Sequence, residues 1–140
     1  MLDFNRNLIE DLRAHGGKAS GGPFAEQELL ILTTTGAKTG SRRSTPLVYT
    51  VDGDRYVIVA SKGGAPTNPD WFNNIRANPN VVIEVGGEAF NAVATVTDET
   101  ERKRLYAQHA DKYASFHDYV KKTTRVIPVL TIERKAAVAA

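Results

Sequence analysis

The residues best suited to chemistry lie in two loops where basic side chains and glycines stand together. Residues 33–51 contain Lys38, Arg42 and Arg43 but no carboxylate, and a second loop, residues 61–64, reads Ser-Lys-Gly-Gly. Glycine lets a backbone approach a ligand closely, and clustered cations attract an anion. The pattern predicts a platform that holds a phosphate and further acidic groups. A solvated basic face is the alternative interpretation.

Aromatic residues supply a second candidate surface. Trp71, the only tryptophan, stands between two Asn-Pro pairs. This position indicates the edge of a pocket for a flat ligand, and burial in the core is the alternative. Tyr113, Phe116 and Tyr119 follow at positions i, i+3 and i+6 and share one face of a predicted helix. A core stripe is the ordinary explanation, but tyrosine hydroxyls stay protonated at neutral pH and can donate protons in a pocket.

The sequence also excludes some chemistry. The chain has no cysteine, so disulfides, thiolate nucleophiles and cysteine–metal sites are ruled out. The three histidines, His15, His109 and His117, are not spaced with carboxylates as metal ligands, and we predict no metal. No Gly-x-Ser-x-Gly motif is present and Ser61 has no evident base partner, which disfavours nucleophilic hydrolysis. Redox chemistry would therefore need a bound cofactor.

The composition, with 41% hydrophobic and 24% charged residues among 140, is that of an ordinary globular chain. We expect one domain over residues 1–134, beginning with an amphipathic helix, and a frayed tail over residues 135–140. The net charge of +2 is too small to indicate nucleic acid as a partner. No apolar run has the length of a membrane span and no signal peptide is evident, so the cytoplasm is the expected location. Peripheral membrane contact through the first helix stays open.

Periodicity and turn signals predict a mainly β protein with flanking helices, an α+β fold. About six antiparallel strands would form a closed or partly closed barrel. The predicted strands cover residues 29–34, 47–51, 55–60, 81–85, 88–96 and 127–133, and the predicted helices cover residues 1–14, 98–112, 113–122 and a short segment capped by Asp70 and ended by Pro79. Residues 36–43 are predicted as a loop, with Pro46 near the start of the next strand. The first helix is expected to pack on the barrel, and a substrate-channel or membrane-surface role is the alternative.

Four stretches resemble one known family. They are residues 32–49 (LTTTGAKTGSRRSTPLVY), 59–85 (VASKGGAPTNPDWFNNIRANPNVVIEV), 97–106 (TDETERKRLY) and 127–130 (IPVL). Together they are similar to the deazaflavin-dependent nitroreductases, actinobacterial oxidoreductases that use coenzyme F420 on a split β-barrel of the FMN-binding type. The resemblance covers about residues 4–133, and it implies the same fold and cofactor for this chain.

The resemblance also implies a set of site residues. The catalytic candidates are Ser61, Tyr113 and Tyr119, with Tyr113 the first choice as proton donor. The implied cofactor-binding residues are Ala37, Lys38, Thr39, Arg43, Ser44, Thr45, Pro46, Leu47, Val48, Val59, Ala60, Ser61, Lys62, Asp70, Trp71, Phe72, Asn73, Asn74 and Phe116. Lys38, Arg43 and Lys62 are expected to hold the phosphate and acidic tail of the cofactor.

The activity that the resemblance implies is hydride transfer from reduced F420 to a flat electron-poor acceptor, a quinone or a nitroaromatic. Family members known for nitro-drug activation have a tyrosine where this chain has Phe116, so reduction of nitroimidazoles is the less expected activity. Three alternatives stay open: an FMN-dependent reductase on the same fold, a deazaflavin carrier without turnover, and a nucleic-acid binder that uses residues 38–43. The oligomeric state is left open.

Overall fold

The computed structural model describes residues 3–22 and 27–135. Within them, the helices α1–α4 span Asp3–Ala14, Asp70–Ala77, Glu99–Lys112 and Ser115–Lys122. The strands β1–β7 span Leu29–Thr35, Arg42–Val48, Thr50–Asp52, Arg55–Val59, Asn80–Val85, Glu88–Val96 and Val129–Arg134. A single 3-10 turn, Lys62–Gly64, lies between β4 and α2.

The seven strands form one antiparallel sheet in the order β2-β1-β5-β6-β7-β4-β3. The two edge strands, β2 and β3, are consecutive in the chain and are separated by Tyr49 alone. Because one residue cannot cross a flat sheet of this width, the sheet must curl until its edges meet. The predicted fold, a mainly antiparallel half-barrel with flanking helices, is confirmed, and the predicted number of about six strands is one too few.

Alternate residues of the central strands belong to different cores. On β1, Leu30 and Leu32 pack inside the barrel, whereas Leu29 and Ile31 pack against α1 on its outside. The outer faces of β4 and β7 are covered by α3 and α4 in the same way. Burial on both faces explains why the predicted first strand reads as a continuous apolar run and does not alternate with polar residues.

After the first loop, the prediction of one strand over residues 47–51 is wrong. The structure has two strands there, β2 and β3, on either side of Tyr49. Pro46 is not near the start of a strand but well inside β2, where it lies opposite Ile31. It is tolerated because β2 is an edge strand, so no second neighbour needs its missing N–H. The loop predicted over residues 36–43 is shorter, because β2 includes its last two residues.

Helix and strand ends follow local signals with two exceptions. Asp98 is the predicted N-cap of α3, and its carboxylate accepts the Glu101 N–H at 2.8 Å. Asp70, in contrast, is the first residue of α2 and not its cap, because Pro69 occupies that position without a side-chain hydrogen bond. The helix predicted from Tyr113 begins at Ser115, since Tyr113 has an extended backbone that ends α3.

The last strand, β7, begins two residues later than predicted, because the residue before it is a proline that cannot donate to the sheet. The predicted tail lies outside the described residues except for Lys135. In the described ranges, no helix is long and apolar enough to cross a membrane.

Candidate functional site

A groove lies between β2, the end of β4, α1 and α4. It has two halves that meet at Asn5, Thr45 and Trp71, because these residues line both. One half has a volume of about 380 Å³ and mainly aromatic and aliphatic walls, and we call it the apolar half. The other has a volume of about 630 Å³ and polar walls, and we call it the basic half.

The apolar half is built by several elements at once, and its walls suit an aromatic ligand. The lining side chains come from β1, β2, β4, α1, α2 and α4, and from the segments that connect these elements. The aliphatic and aromatic lining residues include Leu47, Val48, Val59, Pro69, Trp71, Tyr113, Phe116 and Tyr119.

The basic half contains three cations, Lys38, Arg42 and Arg43, which we call the groove cations. None of their side chains forms an ion pair or hydrogen bond within the described part of the chain, although Asp70 is among the lining residues. Other arginines of the protein behave differently, and the ones that pair with carboxylates include Arg13, Arg55, Arg102, Arg104 and Arg134. Cations that are gathered without a counter-ion are suited to bind an anionic ligand.

The loop before β2, residues 36–41, carries the first groove cation, and we call it the basic loop. Asn74, a buried residue of α2, holds it in place: its Oδ1 accepts the Ala37 N–H at 2.9 Å, and its Nδ2 donates to Thr34 Oγ1 at 3.1 Å. Gly36 is needed at the start, because a Cβ atom there would lie 2.9 Å from Thr39 Oγ1. The loop is therefore positioned before any ligand arrives.

The second loop makes a left-handed turn against α4. Lys62, Gly63 and Gly64 have φ values of 48°, 63° and 83°. A non-glycine residue in this conformation costs about 1 kcal/mol or more. A Cβ atom on Gly64 would lie 2.9 Å from Lys122 Cβ, so the turn packs tightly on α4. It brings Ser61, Lys62 and Gly63 to the wall of the apolar half.

Lys62 lies apart from Lys38 and Arg43, although the sequence suggests that all three share one anion site. It lines the apolar half, where its Nζ donates to Thr67 Oγ1 at 3.3 Å, while the other two line the basic half. Ser61 is buried, and its hydroxyl has no hydrogen-bond partner among the described residues. The basic loop thus faces the basic half of the groove, and the loop with Ser61 and Lys62 faces the apolar half.

The two tyrosines proposed for proton transfer differ in what their hydroxyls do. Tyr113 is buried, which raises its pKa, and its hydroxyl donates to the Tyr49 carbonyl at 2.8 Å. Tyr119 is half-buried, with its ring centroid 4.9 Å from that of Phe116, and its hydroxyl meets no partner within the described chain. The hydroxyl that is free to act on a ligand therefore belongs to Tyr119, whereas Tyr113 was the first choice from sequence.

His109 lies behind the apolar half and does not line it. It is 0% exposed, its Nδ1 lies 3.1 Å from Thr50 Oγ1, and its Nε2 has no hydrogen-bond partner. Burial, helped by the nearby Lys112, lowers its pKa to about 4, so the imidazole is neutral. Its ring meets that of Phe116 edge to face at 4.5 Å and supports the wall. Residues 3–22 and 27–135 contain no group of three or more His, Asp or Glu side chains that could hold a metal ion.

Most of the predicted site residues line the groove, but Ala60 and Phe72 do not, because both side chains are buried in the barrel core. Neighbouring residues on a strand face opposite sides, so Val59 and Ser61 line the groove while Ala60 cannot. The predicted residues that do line it are Ala37, Lys38, Thr39, Arg43, Ser44, Thr45, Pro46, Leu47, Val48, Val59, Ser61, Lys62, Asp70, Trp71, Asn73, Asn74, Tyr113, Phe116 and Tyr119.

Two contributions to the site are absent from the predicted site residues. The helix α1 packs on the barrel as expected, and its residues Phe4, Asn5 and Leu8 also line the groove, where the sequence had offered a substrate-channel role only as the alternative. The helical periodicity shows that α1 has an apolar face, yet it does not show which part of that face meets a ligand. The second is Arg125, which does not line the groove but donates hydrogen bonds to carbonyls of the loop after β4. No local motif marks it.

The comparison with known sequences identifies one family. The family model described as F420H(2)-dependent quinone reductase matches residues 4–134 of this chain. An F420H(2)-dependent quinone reductase of Mycobacterium tuberculosis strain H37Rv is 42% identical over 112 residues, which cover 76% of this chain and 73% of that protein.

Two solved structures are similar as well. An F420-H2 dependent reductase, FDR-A, is 36% identical with a TM-score of 0.69, over 75% of this chain and 93% of that one. A structure described as a domain-swapped dimer is 32% identical with a TM-score of 0.71, over 91% of this chain and 96% of that one. Sequence and fold agree, and the chain belongs to the F420H(2)-dependent quinone reductase family.

Proposed function

We propose that this chain is an F420H2-dependent oxidoreductase that transfers a hydride from the reduced deazaflavin to a quinone. The observation that carries the proposal is that the apolar and basic halves of the groove are continuous at Asn5, Thr45 and Trp71. Coenzyme F420 has two matching parts, a flat deazaflavin ring and an acidic tail joined to it through a phosphate. The residues present therefore fit the group in the order in which its parts are connected.

The basic half holds the phosphate and the tail in this proposal. Arg43 can offer a bidentate fork to a phosphate, and Lys38 can add a point charge. Both are free to do so, since neither is paired within the described residues. Asn74 keeps the basic loop in its binding conformation, which lowers the entropy lost when the ligand is bound.

The apolar half holds the ring and the acceptor. Trp71 stands at the junction of the halves and Val59 lies on the wall of the apolar half, so these side chains flank the deazaflavin. Phe116 and Tyr119 line the same half from α4 and border the acceptor. Their apolar walls exclude water from the place where the two rings meet.

The reaction needs one hydride and one proton. When bound, the reduced deazaflavin supplies the hydride, and a quinone that also receives a proton becomes a hydroquinone. Tyr119 donates this proton, because its hydroxyl makes no bond to the described protein and its partial exposure lets solvent replace the proton. Tyr113 keeps its own proton in the bond to the Tyr49 carbonyl.

The test is anaerobic reduction of menadione by reduced F420, followed by the absorbance of the oxidised cofactor. We expect turnover by the natural chain, and we expect Tyr119→Phe to lower kcat by about 100-fold while F420 affinity stays the same. Tyr113→Phe is the matched control: it removes the part-buried hydrogen bond to the Tyr49 carbonyl, worth about 1 kcal/mol of stability, and leaves kcat nearly unchanged.

Two results would contradict the proposal in different ways. Tight binding of F420 without any turnover would make the protein a deazaflavin carrier. Equal kcat values for Tyr119→Phe and the natural chain would assign the proton to water. A nitroaromatic acceptor run in parallel shows whether Phe116→Tyr, which adds a hydroxyl to the wall, broadens the range of acceptors.

A further inference from the structure

Arg125, in the segment between α4 and β7, makes an unusual set of contacts. Its guanidinium donates to the carbonyls of Ala60 at 3.2 Å, Ser61 at 2.9 Å and Ala65 at 3.1 Å, and also to Asn68 Oδ1. All of these acceptors are neutral, and Arg125 forms no ion pair within the described chain. Because no carboxylate neutralises this half-buried charge, an ion pair does not explain why an arginine stands at this position.

The four acceptors belong to one segment, residues 60–68, which connects β4 to α2. Its residues Ser61, Lys62 and Gly63 line the apolar half of the groove. Their backbone N–H groups donate no hydrogen bond within the described ranges, and the Ser61 hydroxyl is also free. Arg125 thus hydrogen-bonds to carbonyl groups of the segment, while donor groups of the same segment remain available to a ligand on the groove wall.

The conformation of this segment depends on being held. Lys62 has a φ of 48°, which a non-glycine residue rarely adopts without support. The turn is held by the contact of Gly64 with α4 and by the hydrogen bonds from Arg125. Without the guanidinium, we expect Lys62 to relax, and the positions of Ser61 and Gly63 to change with it.

Lysine could not replace this arginine. The planar guanidinium reaches acceptors in several directions at once, whereas an ammonium group acts as one point. The carbonyls of Ala60, Ser61 and Ala65 are bonded by all three of its nitrogens. The geometry therefore depends on the shape of the Arg125 side chain as well as on its charge.

We infer that Arg125 is a positioning residue that sets the donor groups of Ser61, Lys62 and Gly63 against the oxygens of the bound rings. This rests on the proposed function and extends it, since it makes the rate of hydride transfer depend on a residue that does not line the groove. Misplacement by a fraction of an ångström lowers the rate of a reaction between two bound rings more than it lowers their affinity.

The experiment compares Arg125→Met and Arg125→Lys with Arg55→Met. Arg55 is the matched control, because its side chain is 24% exposed and pairs with Asp52 and Glu101, and none of these three residues lines the groove. We expect both Arg125 variants to lose about 10- to 100-fold in kcat with menadione. F420 affinity, which depends mainly on the basic half, should change far less. Hydrogen exchange of the Gly64 and Ala65 amides, which are hydrogen-bonded within this segment, should accelerate in both Arg125 variants and not in Arg55→Met.

A purely structural role would give a different result. If kcat falls equally in Arg55→Met, or if Arg125→Lys keeps natural kcat and exchange rates, Arg125 does not position the loop and the inference is wrong. Failure of the proposed function is distinguishable, because it would appear as absent turnover in the natural chain. That outcome would also overturn the link to hydride transfer, while hydrogen exchange would still report whether Arg125 holds the segment.

Discussion

Two clusters of basic side chains in this molecule have opposite surroundings. Between the β3–β4 hairpin and α3, Arg55 and Arg104 share the carboxylates of Asp52 and Glu101. We call these four residues the paired cluster. The groove cations, in contrast, have no counter-ion in the described chain. Both groups lie near the surface, so exposure alone does not explain why only one of them is neutralised.

The difference separates charges that serve the fold from charges that serve a ligand. The paired cluster joins elements that are distant in sequence, α3 and the β3–β4 hairpin. The side chains of the groove cations bond to no other element in the described chain, and their mutual repulsion disfavours the ligand-free protein slightly. Substitutions in the two places should therefore have opposite consequences for stability and for binding.

The largest expected effect follows substitution of the groove cations. Lys38→Ala combined with Arg43→Ala should weaken F420 binding by about 10- to 100-fold, because two charge-assisted contacts are lost. The melting temperature should not fall, since neither side chain makes an ion pair or hydrogen bond within the described residues. Arg55→Met is the control, and it should lower the melting temperature while leaving affinity unchanged. Fluorescence titration and thermal unfolding measure both quantities, and equal affinities in the two variants would break the distinction.

Asn74 combines the two roles, because its hydrogen bonds within the protein hold the basic loop that lines the groove. Asn74→Ala leaves the Ala37 N–H and the Thr34 hydroxyl without their partner, and it should cost about 1–3 kcal/mol of stability. F420 affinity should also fall, but by less than in the double substitution. Thr34→Val is the control, since it keeps the bond from Asn74 to the basic loop. If affinity falls as much in Thr34→Val, the loop is not held by this contact.

Acid should weaken the paired cluster. Hydrogen bonds from Arg104 and, to a smaller extent, from Arg55 lower the pKa of Asp52 to about 2. Because this pKa lies below that of the unfolded chain, the contribution of Asp52 to stability is present above about pH 4 and is lost as the pH falls towards 2. Unfolding measured against pH should show a smaller loss in this window for Asp52→Asn. An unchanged pH profile would contradict the role of the cluster.

A smaller effect in a separate pH window belongs to His109. Its folded pKa of about 4 lies below the ordinary value near 6.5, so the unfolded chain takes up the proton first. Stability should fall as the pH is lowered from about 6.5 to about 4, and the loss is complete below that range. His109→Gln should flatten the profile there. A profile that does not change would show that another group titrates in this window.

Local signals in the sequence were sufficient for much of the fold. The hairpin of β5 and β6 follows from two adjacent glycines, and the start of α3 from Asp98, since both depend on neighbours within a few residues. The break at Tyr49 depends on closure of the whole sheet, and no pattern of nearby residues specifies it. The same reason explains Pro46, which is acceptable only because β2 became an edge.

The sequence predicted which types of residue form the site. It did not predict which of their functional groups are already hydrogen-bonded to the protein. The basic loop could be recognised because its cations and glycines are adjacent. The hydroxyl of Tyr113 is occupied by a carbonyl 64 residues away, so its sequence neighbours could not distinguish it from Tyr119. Arg125 finds its acceptors 57 to 65 residues earlier, which hides it from any motif.

The measurement that tests the central claim most directly is a fluorescence titration of the purified protein with oxidised F420, with FMN in parallel, at low and high salt. A two-part groove predicts that F420 binds more tightly than FMN, because FMN has the phosphate without the acidic tail. It also predicts that F420 affinity falls as salt screens the groove cations. Preference for FMN, or affinity for F420 that does not depend on salt, would contradict the account.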